Sequence, residues 1–346
     1  MKIGALAIPL LVFCTFCLSA KDDKVPTDFV PMFNNKDLSG WVNVNCAPNT
    51  FYVKDNEVIT NGRPTGFLRT AKQYENFILE MEWMHVNKKE VGNSGLFVWG
   101  DPLPAVGTGY TRGIEVQVLV NYETDWATSH GDLFSIWGAK CKPDRPHPKG
   151  YERCLPSERV CKGGGEWNHY KVVANNGSIK LSVNGKEVSG VSQCNPRKGY
   201  LALESEGAEC HFRNIKIQEL PSTNPKPEEI ADVDEGFVSL FNGINLDGWS
   251  TKDQAWSAGE ILKCVENQEL VSLKKYITSY FILDYKLPTG TDSITLVHGE
   301  TKKVLTGKPG TWVRYRGNHK QALPKPITIE GVNGLELRNI FIKEMK

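Results

Sequence analysis

The chain has 346 residues, 40% apolar and 23% charged, with a net charge of +1. That is the profile of a soluble globular protein with enough length for two ordinary domains. It carries no charge excess of the kind that binds nucleic acid or an acidic membrane surface.

Lys2 precedes an apolar run from Ile3 to Leu18 that closes on Ser19-Ala20, ahead of the charged Lys21-Asp22-Asp23. Residues 1–20 therefore read as a cleaved secretory signal, since the run is short for a membrane span and contains Pro9. No Cys stands directly after Ser19-Ala20, so no lipid anchor is expected, and no later stretch is long and apolar enough to cross a bilayer. The mature protein is expected in the periplasm, at the cell surface or in the medium, where disulfides are permitted. Of the nine Cys, seven lie beyond the signal, and none has the spacing of a zinc site. They are expected to staple one to three loops and to leave at least one thiol unpaired.

From residue 29 onward the chain repeats itself. FVPMFNNKDLSGW (29–41) returns as FVSLFNGINLDGW (237–249), and FILEMEW (77–83) as FILDYKL (281–287). GEWNHYKV (165–172) is echoed by GTWVRYRG (310–317), and FRNIKIQEL (212–220) by LRNIFIKEM (337–345). Four blocks in one order argue for two copies of one architecture: a first domain over 24–220 and a shortened, degenerate second copy over 237–346. Between them, residues 221–236 are rich in Pro and acids and lack periodicity, as a linker does. The second copy is short in one place. Between the second and third blocks the first copy has 81 residues and the second only 22.

Short runs with β-branched and aromatic residues, separated by Gly, Asn and Pro, predict strands at FILEMEW, GLFVWG, GIEVQVLVN, HYKVVAN, SIKLSVNGKEV, YLALES and HFRNIKIQEL. VNGKEV (183–188) carries an Asn-Gly hairpin signal. The segment with Cys141, Cys154 and Cys161 lacks a strand pattern. An all-β fold follows, an antiparallel sandwich or jelly roll, twice in tandem. One strand, RGIEVQVLVN (112–121), sits inside what the second copy lacks. Its Ile114, Val116, Val118 and Val120 share one face, and Glu115 and Gln117 the other. A carboxylate beside an amide is either part of a solvated outer face, common in antiparallel sheets, or part of a site.

The blocks FNNKDLSGW, GNSGLFVWG, GIEVQVL, HGD, GEWNHY, NGKEVSG and FRNIKI follow in a fixed order over about residues 29–220. As a set they resemble the 3-keto-disaccharide hydrolase family; the second copy matches only at its ends. The resemblance implies a concanavalin-like jelly roll, export, and action on glycosides whose ring carbon 3 has been oxidised to a ketone. Many members carry a Gln and a His in the strand before the last block, where this chain reads LESEG (203–207) with Glu204 and Glu206.

A retaining glycosidase needs two carboxyl groups about 5–5.5 Å apart. After Glu115, its strand face continues with Gln117 and Leu119, so a second acid would have to come from a loop, through Glu123, Asp125 or Asp132. A 3-keto-glycoside asks for less. Its ketone acidifies the hydrogen on carbon 2, so one base can start the departure of the group on carbon 1, and water then adds to the unsaturated product. Glu115 is the candidate base with Gln117 as its hydrogen-bonding neighbour, and His130 in SHGD (129–132) is the alternative base. Asp132 would orient His130 or take a divalent cation such as Ca²⁺, and no cofactor is otherwise required. Asn93 and Ser94 would present an amide and a hydroxyl to the sugar. Trp99 and Trp126 would stack on a ring, although Trp in a sandwich is by default core. Arg112, Asn168 and Glu206 complete the candidate contacts. Trp167 recurs as Trp312, and Arg213-Asn214 as Arg338-Asn339, so these read as architectural. Asn176-Gly177-Ser178 is a glycosylation sequon. The expected function is a secreted hydrolase of 3-keto-glycosides, with an oligosaccharide or glycoside substrate, an oxidoreductase that supplies the ketone, and a second domain that is scaffold or accessory sugar binder. The competing expectation is a non-catalytic carbohydrate-binding or cell-surface protein.

Overall fold

The structure, a computed structural model, describes residues 28–344; the signal expected over 1–20 lies outside them. Strands dominate, and the one helical element among the described residues is a 3-10 turn, Pro227–Glu229. No helix there is long and apolar enough to cross a membrane. Residues 30–219 supply two antiparallel sheets of nine and seven strands, and residues 238–344 supply two more of six and five. The chain is thus two jelly-roll sandwiches in tandem.

Period-two patterning explains the strands. Phe77–His85 alternates buried and half-buried residues without a break, so Phe77, Leu79, Met81 and Trp83 enter the first core while Glu80 and Glu82 stay outside. Asn184 and Gly185, with φ of 50° and 87°, turn Ser178–Val183 back into Lys186–Asn195. Asn-Gly suits that geometry because both central residues need positive φ.

The seven-stranded sheet runs Arg153–Cys154, Leu133–Ile136, Gly113–Val120, Gly92–Gly100, Tyr200–Ser205, Gly66–Thr70, Trp41–Val44. Its central strands are buried on both faces. All eight residues of Gly113–Val120 and all six of Tyr200–Ser205 are buried. The inner face packs into the first core. On the outer face Val44, Phe67, Phe97 and Ala202 meet Ile282 and Phe341 of the second sandwich. The outer face is therefore no wetted surface, which removes solvation as the account of Glu115 and Gln117.

Two expectations are corrected. The seven described cysteines are all free. Their thiols face backbone carbonyls in different parts of the fold: Cys46 bonds Val44 and Phe67, Cys141 bonds Glu152, and Cys264 bonds Glu266. The segment around Cys141 and Cys154 does contain strands, Lys140–Pro143 and Arg153–Cys154, held by pairing with Lys186–Asn195 and Leu133–Ile136 rather than by their own pattern. Residues 221–236 are strapped to the first sandwich. Ala231 N–H donates to the Lys198 carbonyl at 2.8 Å, Gln73 donates to the carbonyls of Ala231 and Asp232, and Asp234 pairs with the buried Arg69 at 2.7 Å.

Candidate active site

Strand register assembles the site. Gly95 pairs with Gln117 and Phe97 with Glu115; on the other side Leu96 pairs with Leu203, which sets Gly95 beside Glu204. Side chains on paired positions share a face, so Glu115, Gln117, Glu204 and Asn93 all project outward around a residue with no side chain. A Cβ on Gly95 would stand 2.9 Å from Glu204 Oε2 and 3.0 Å from Glu115 Oε1. Both carboxyl groups lean into the gap that Gly95 leaves, no more than about 6 Å from each other. Glu206 follows two residues after Glu204 and joins them as a third.

The polar contacts form one chain. Gln117 Nε2 donates to Asn93 Oδ1 at 2.8 Å and lies 3.4 Å from Glu115 Oε1. Asn93 Nδ2 donates to Glu206 Oε2 at 2.5 Å, and Tyr110 O–H donates to Glu206 Oε1 at 2.8 Å. Glu115 is 6% exposed and Glu204 1%. Burial, then repulsion from Glu206, pushes Glu115 up to about 8. Burial, then Glu115 and Glu206, drives Glu204 well above the carboxylate range. Glu206 is also raised, chiefly by burial, with its bond to Tyr110 working against that. Neither Glu204 oxygen meets a donor. Burial and mutual repulsion thus favour protons on carboxyls that would otherwise release them, and groups shifted in this way are what general acid–base chemistry draws on.

Tyr110 reaches Glu206 from a loop that the second sandwich grips. Asp284 accepts the Gly107 N–H at 2.8 Å, and Asn339 Nδ2 donates to the Thr108 carbonyl at 2.8 Å and to Asp284 at 2.7 Å. Arg338 donates to the Gly107 carbonyl at 3.1 Å. Trp312 lies where any side chain on Gly107 would go. The repeated Arg-Asn pair thus acquires in the second copy the task of holding a loop of the first.

Of the residues singled out from sequence, Glu115, Gln117, Asn93 and Glu206 converge here. The others stand elsewhere. His130 lines a separate cleft beside Glu123, 3.8 Å away, and burial lowers its pKa. Asp132 is fully buried, its oxygens taken by Thr128 at 2.6 and 2.9 Å and by Arg153 at 2.9 Å. Ser94 points the opposite way from Asn93 and donates to the Glu204 carbonyl at 2.8 Å. Trp99 is core, its indole N–H on the Glu75 carbonyl. Asn168 clamps Lys162 through both backbone groups. Arg112 makes a bidentate pair with Asp101, and Trp126 is exposed over Arg153. Among the described residues no group of three or more His, Cys, Asp or Glu has an arrangement to hold a metal ion.

Sequence reading missed Glu204, Tyr110 and the part of Gly95. The i, i+2 spacing of Glu204 and Glu206 signals a shared strand face. Tyr110 and Gly95 gave no local signal, because their roles depend on a loop fold and on the register of three strands.

The family model described as the 3-keto-alpha-glucoside-1,2-lyase-like domain matches residues 28–218. No curated protein matches the chain. Among solved structures, one from Parabacteroides distasonis, provisionally named a glycosyl hydrolase, is 21% identical over 56% of this chain and 94% of its own, with a TM-score of 0.43. A second from the same organism, named likewise, is 20% identical over 56% of this chain and all of its own, with a TM-score of 0.41. A carbohydrate-binding module from Bacillus subtilis is 14% identical over 52% and 96%, with a TM-score of 0.39.

Proposed function

The chain belongs to the 3-keto-alpha-glucoside-1,2-lyase-like family, and from that membership we propose that it is an exported enzyme that cleaves 3-keto-glycosides by base-initiated elimination and hydration. The observation that carries this reading is the buried group of three carboxyls around Gly95, poised to hold both a proton and a vacancy for one. Ionised Glu115 takes the hydrogen from ring carbon 2, and the electrons left behind delocalise onto the carbon 3 ketone. They return to form the carbon 1–carbon 2 double bond as the bond to the leaving oxygen breaks. Glu206, held by Tyr110 and Asn93 and favoured in its protonated form by burial, protonates that oxygen. Water adding across the double bond completes net hydrolysis. An oxidoreductase making the 3-keto sugar is the natural supplier of substrate. The residues ask for no cofactor.

The test follows release of reducing sugar from a 3-keto-disaccharide and from its unoxidised parent. A positioned base contributes roughly 10²–10⁴ in rate, so Glu115→Gln is expected to lose at least about a hundredfold on the keto sugar. Full activity in that variant would sink the assignment of the base. Cleavage of the unoxidised sugar would instead favour ordinary two-carboxylate hydrolysis, for which Glu115 and Glu204 stand close enough.

A further inference from the structure

Of the three carboxyls, Glu206 is the one that lines an open cleft. A cleft of about 580 Å³ ends there, within the range of roughly 300–1,000 Å³ found for small-molecule sites. One wall belongs to the first sandwich, around Arg63 and Tyr110; the opposite wall belongs to the second, around Gly243, Ile244 and Glu260. The two walls are fastened. Glu260 accepts the Thr65 N–H at 3.1 Å and its hydroxyl at 2.5 Å, and Gly243 packs so closely on Pro64 that a Cβ would stand 2.6 Å from the ring.

Across this cleft Glu260 faces Glu206, near enough to repel it. Ile244 lines the same cleft with 47% of its surface exposed, on a turn in which Asn242 Oδ1 accepts the N–H groups of Ile244 and Asn245. An apolar side chain flanked by carboxylate acceptors suits a pyranose, which offers an apolar ring face and a rim of hydroxyl donors. Resting on the reading above, we infer that this wall of the second sandwich is the subsite for the leaving sugar. The ring with the ketone sits over Glu206 and Glu115; the departing sugar lies against Ile244 and Glu260.

Ile244→Ala should fold normally, because the side chain is half exposed. Kinetics of wild type and variant are compared on a 3-keto-disaccharide and on the 3-keto methyl glycoside of the same first sugar. Ile244→Ala is expected to raise KM for the disaccharide about tenfold and to leave the methyl glycoside within twofold. Equal effects on both substrates, or none on the disaccharide, overturn the inference. If wild type turns over neither keto sugar, the activity reading fails by itself. Titration calorimetry with the unoxidised disaccharide and methyl glycoside then decides the subsite. Preference of wild type for the disaccharide, lost in Ile244→Ala, supports it; no disaccharide binding, or no change in the variant, overturns it.

Discussion

At the scale of single residues, the cluster around Gly95 should set both activity and stability against pH. Glu115 is ionised only above about 8 in the folded protein, whereas an ordinary Glu ionises near 4.3. A base must be deprotonated, so kcat/KM on the keto sugar is expected to rise with pH through a limb near 8. Glu206→Gln removes the repulsion that, after burial, does most to raise Glu115, so in any activity it retains the limb should move to lower pH. A limb that stays in place would mean that Glu206 does not govern Glu115. Linkage gives the opposite slope for folding. The native state binds the Glu115 proton more tightly than the unfolded chain does, so stability falls as pH climbs from about 4 toward 8. Every tenfold gain in proton affinity on folding corresponds to about 1.4 kcal/mol. Glu115→Gln should therefore be close to neutral in stability at pH 5 and stabilising by a few kcal/mol at pH 9, measured by urea unfolding at the two pH values. Gly95→Ala tests the gap. Its methyl group would crowd both carboxyls, and activity should fall with little change in far-ultraviolet circular dichroism. Glu115 and Gln117 were legible from period-two alternation alone, whereas Glu206 entered only as a candidate contact and Glu204 was given no role. That the two pairs meet was not legible, because three strands from distant parts of the chain must align to bring them together.

At the scale of elements, strands were readable wherever one face is apolar, as in Phe77–His85 and Asn168–Asn175. Lys140–Pro143 and Arg153–Cys154 were not, since they owe their shape to the strands they pair with. The loop carrying Tyr110 was equally silent, and its order comes from outside. Asn339 gives its amide hydrogens to Ala105, Thr108 and Asp284, and with φ of 50° it occupies a bulge of the kind that Asn214 makes at 52° in the first copy. Asn339→Ala strands buried acceptors, each costing about 1–3 kcal/mol, and frees the loop. Amide hydrogen exchange over residues 105–111 should accelerate at least tenfold, while the strand Gly113–Val120 stays protected. Unchanged exchange in the loop would show that the bonds to the second sandwich do not order it.

At the scale of the molecule, the repeat was plain in the sequence, but the way its copies join was not. Two copies and a Pro-rich connector say nothing of how the sandwiches pack. The folded chain lays the outer face of one sandwich on the outer face of the other, with Phe67, Phe97, Ile282 and Phe341 almost wholly buried between them. The connector is tied down through Arg69, which is 1% exposed and lies 4.6 Å from the Tyr200 ring as well as against Asp234. Without the second sandwich the first would expose two phenylalanines on the face that carries the carboxyl cluster. The two sandwiches should therefore unfold as one unit: tryptophan emission and far-ultraviolet circular dichroism should give coincident urea transitions. Phe341→Ala, which empties the centre of the contact, should lower stability by roughly 3–5 kcal/mol. Its effect should reach the active site, because the strand Glu336–Glu344 that carries Phe341 also carries Arg338 and Asn339, which hold the Tyr110 loop. Two well-separated transitions in the wild-type protein would break this account, since a second copy that folds alone has no need of the first. One transition, with activity and stability lost together in Phe341→Ala, is what is expected of a shortened copy that contributes a wall, a clamp and a cover to its neighbour's site.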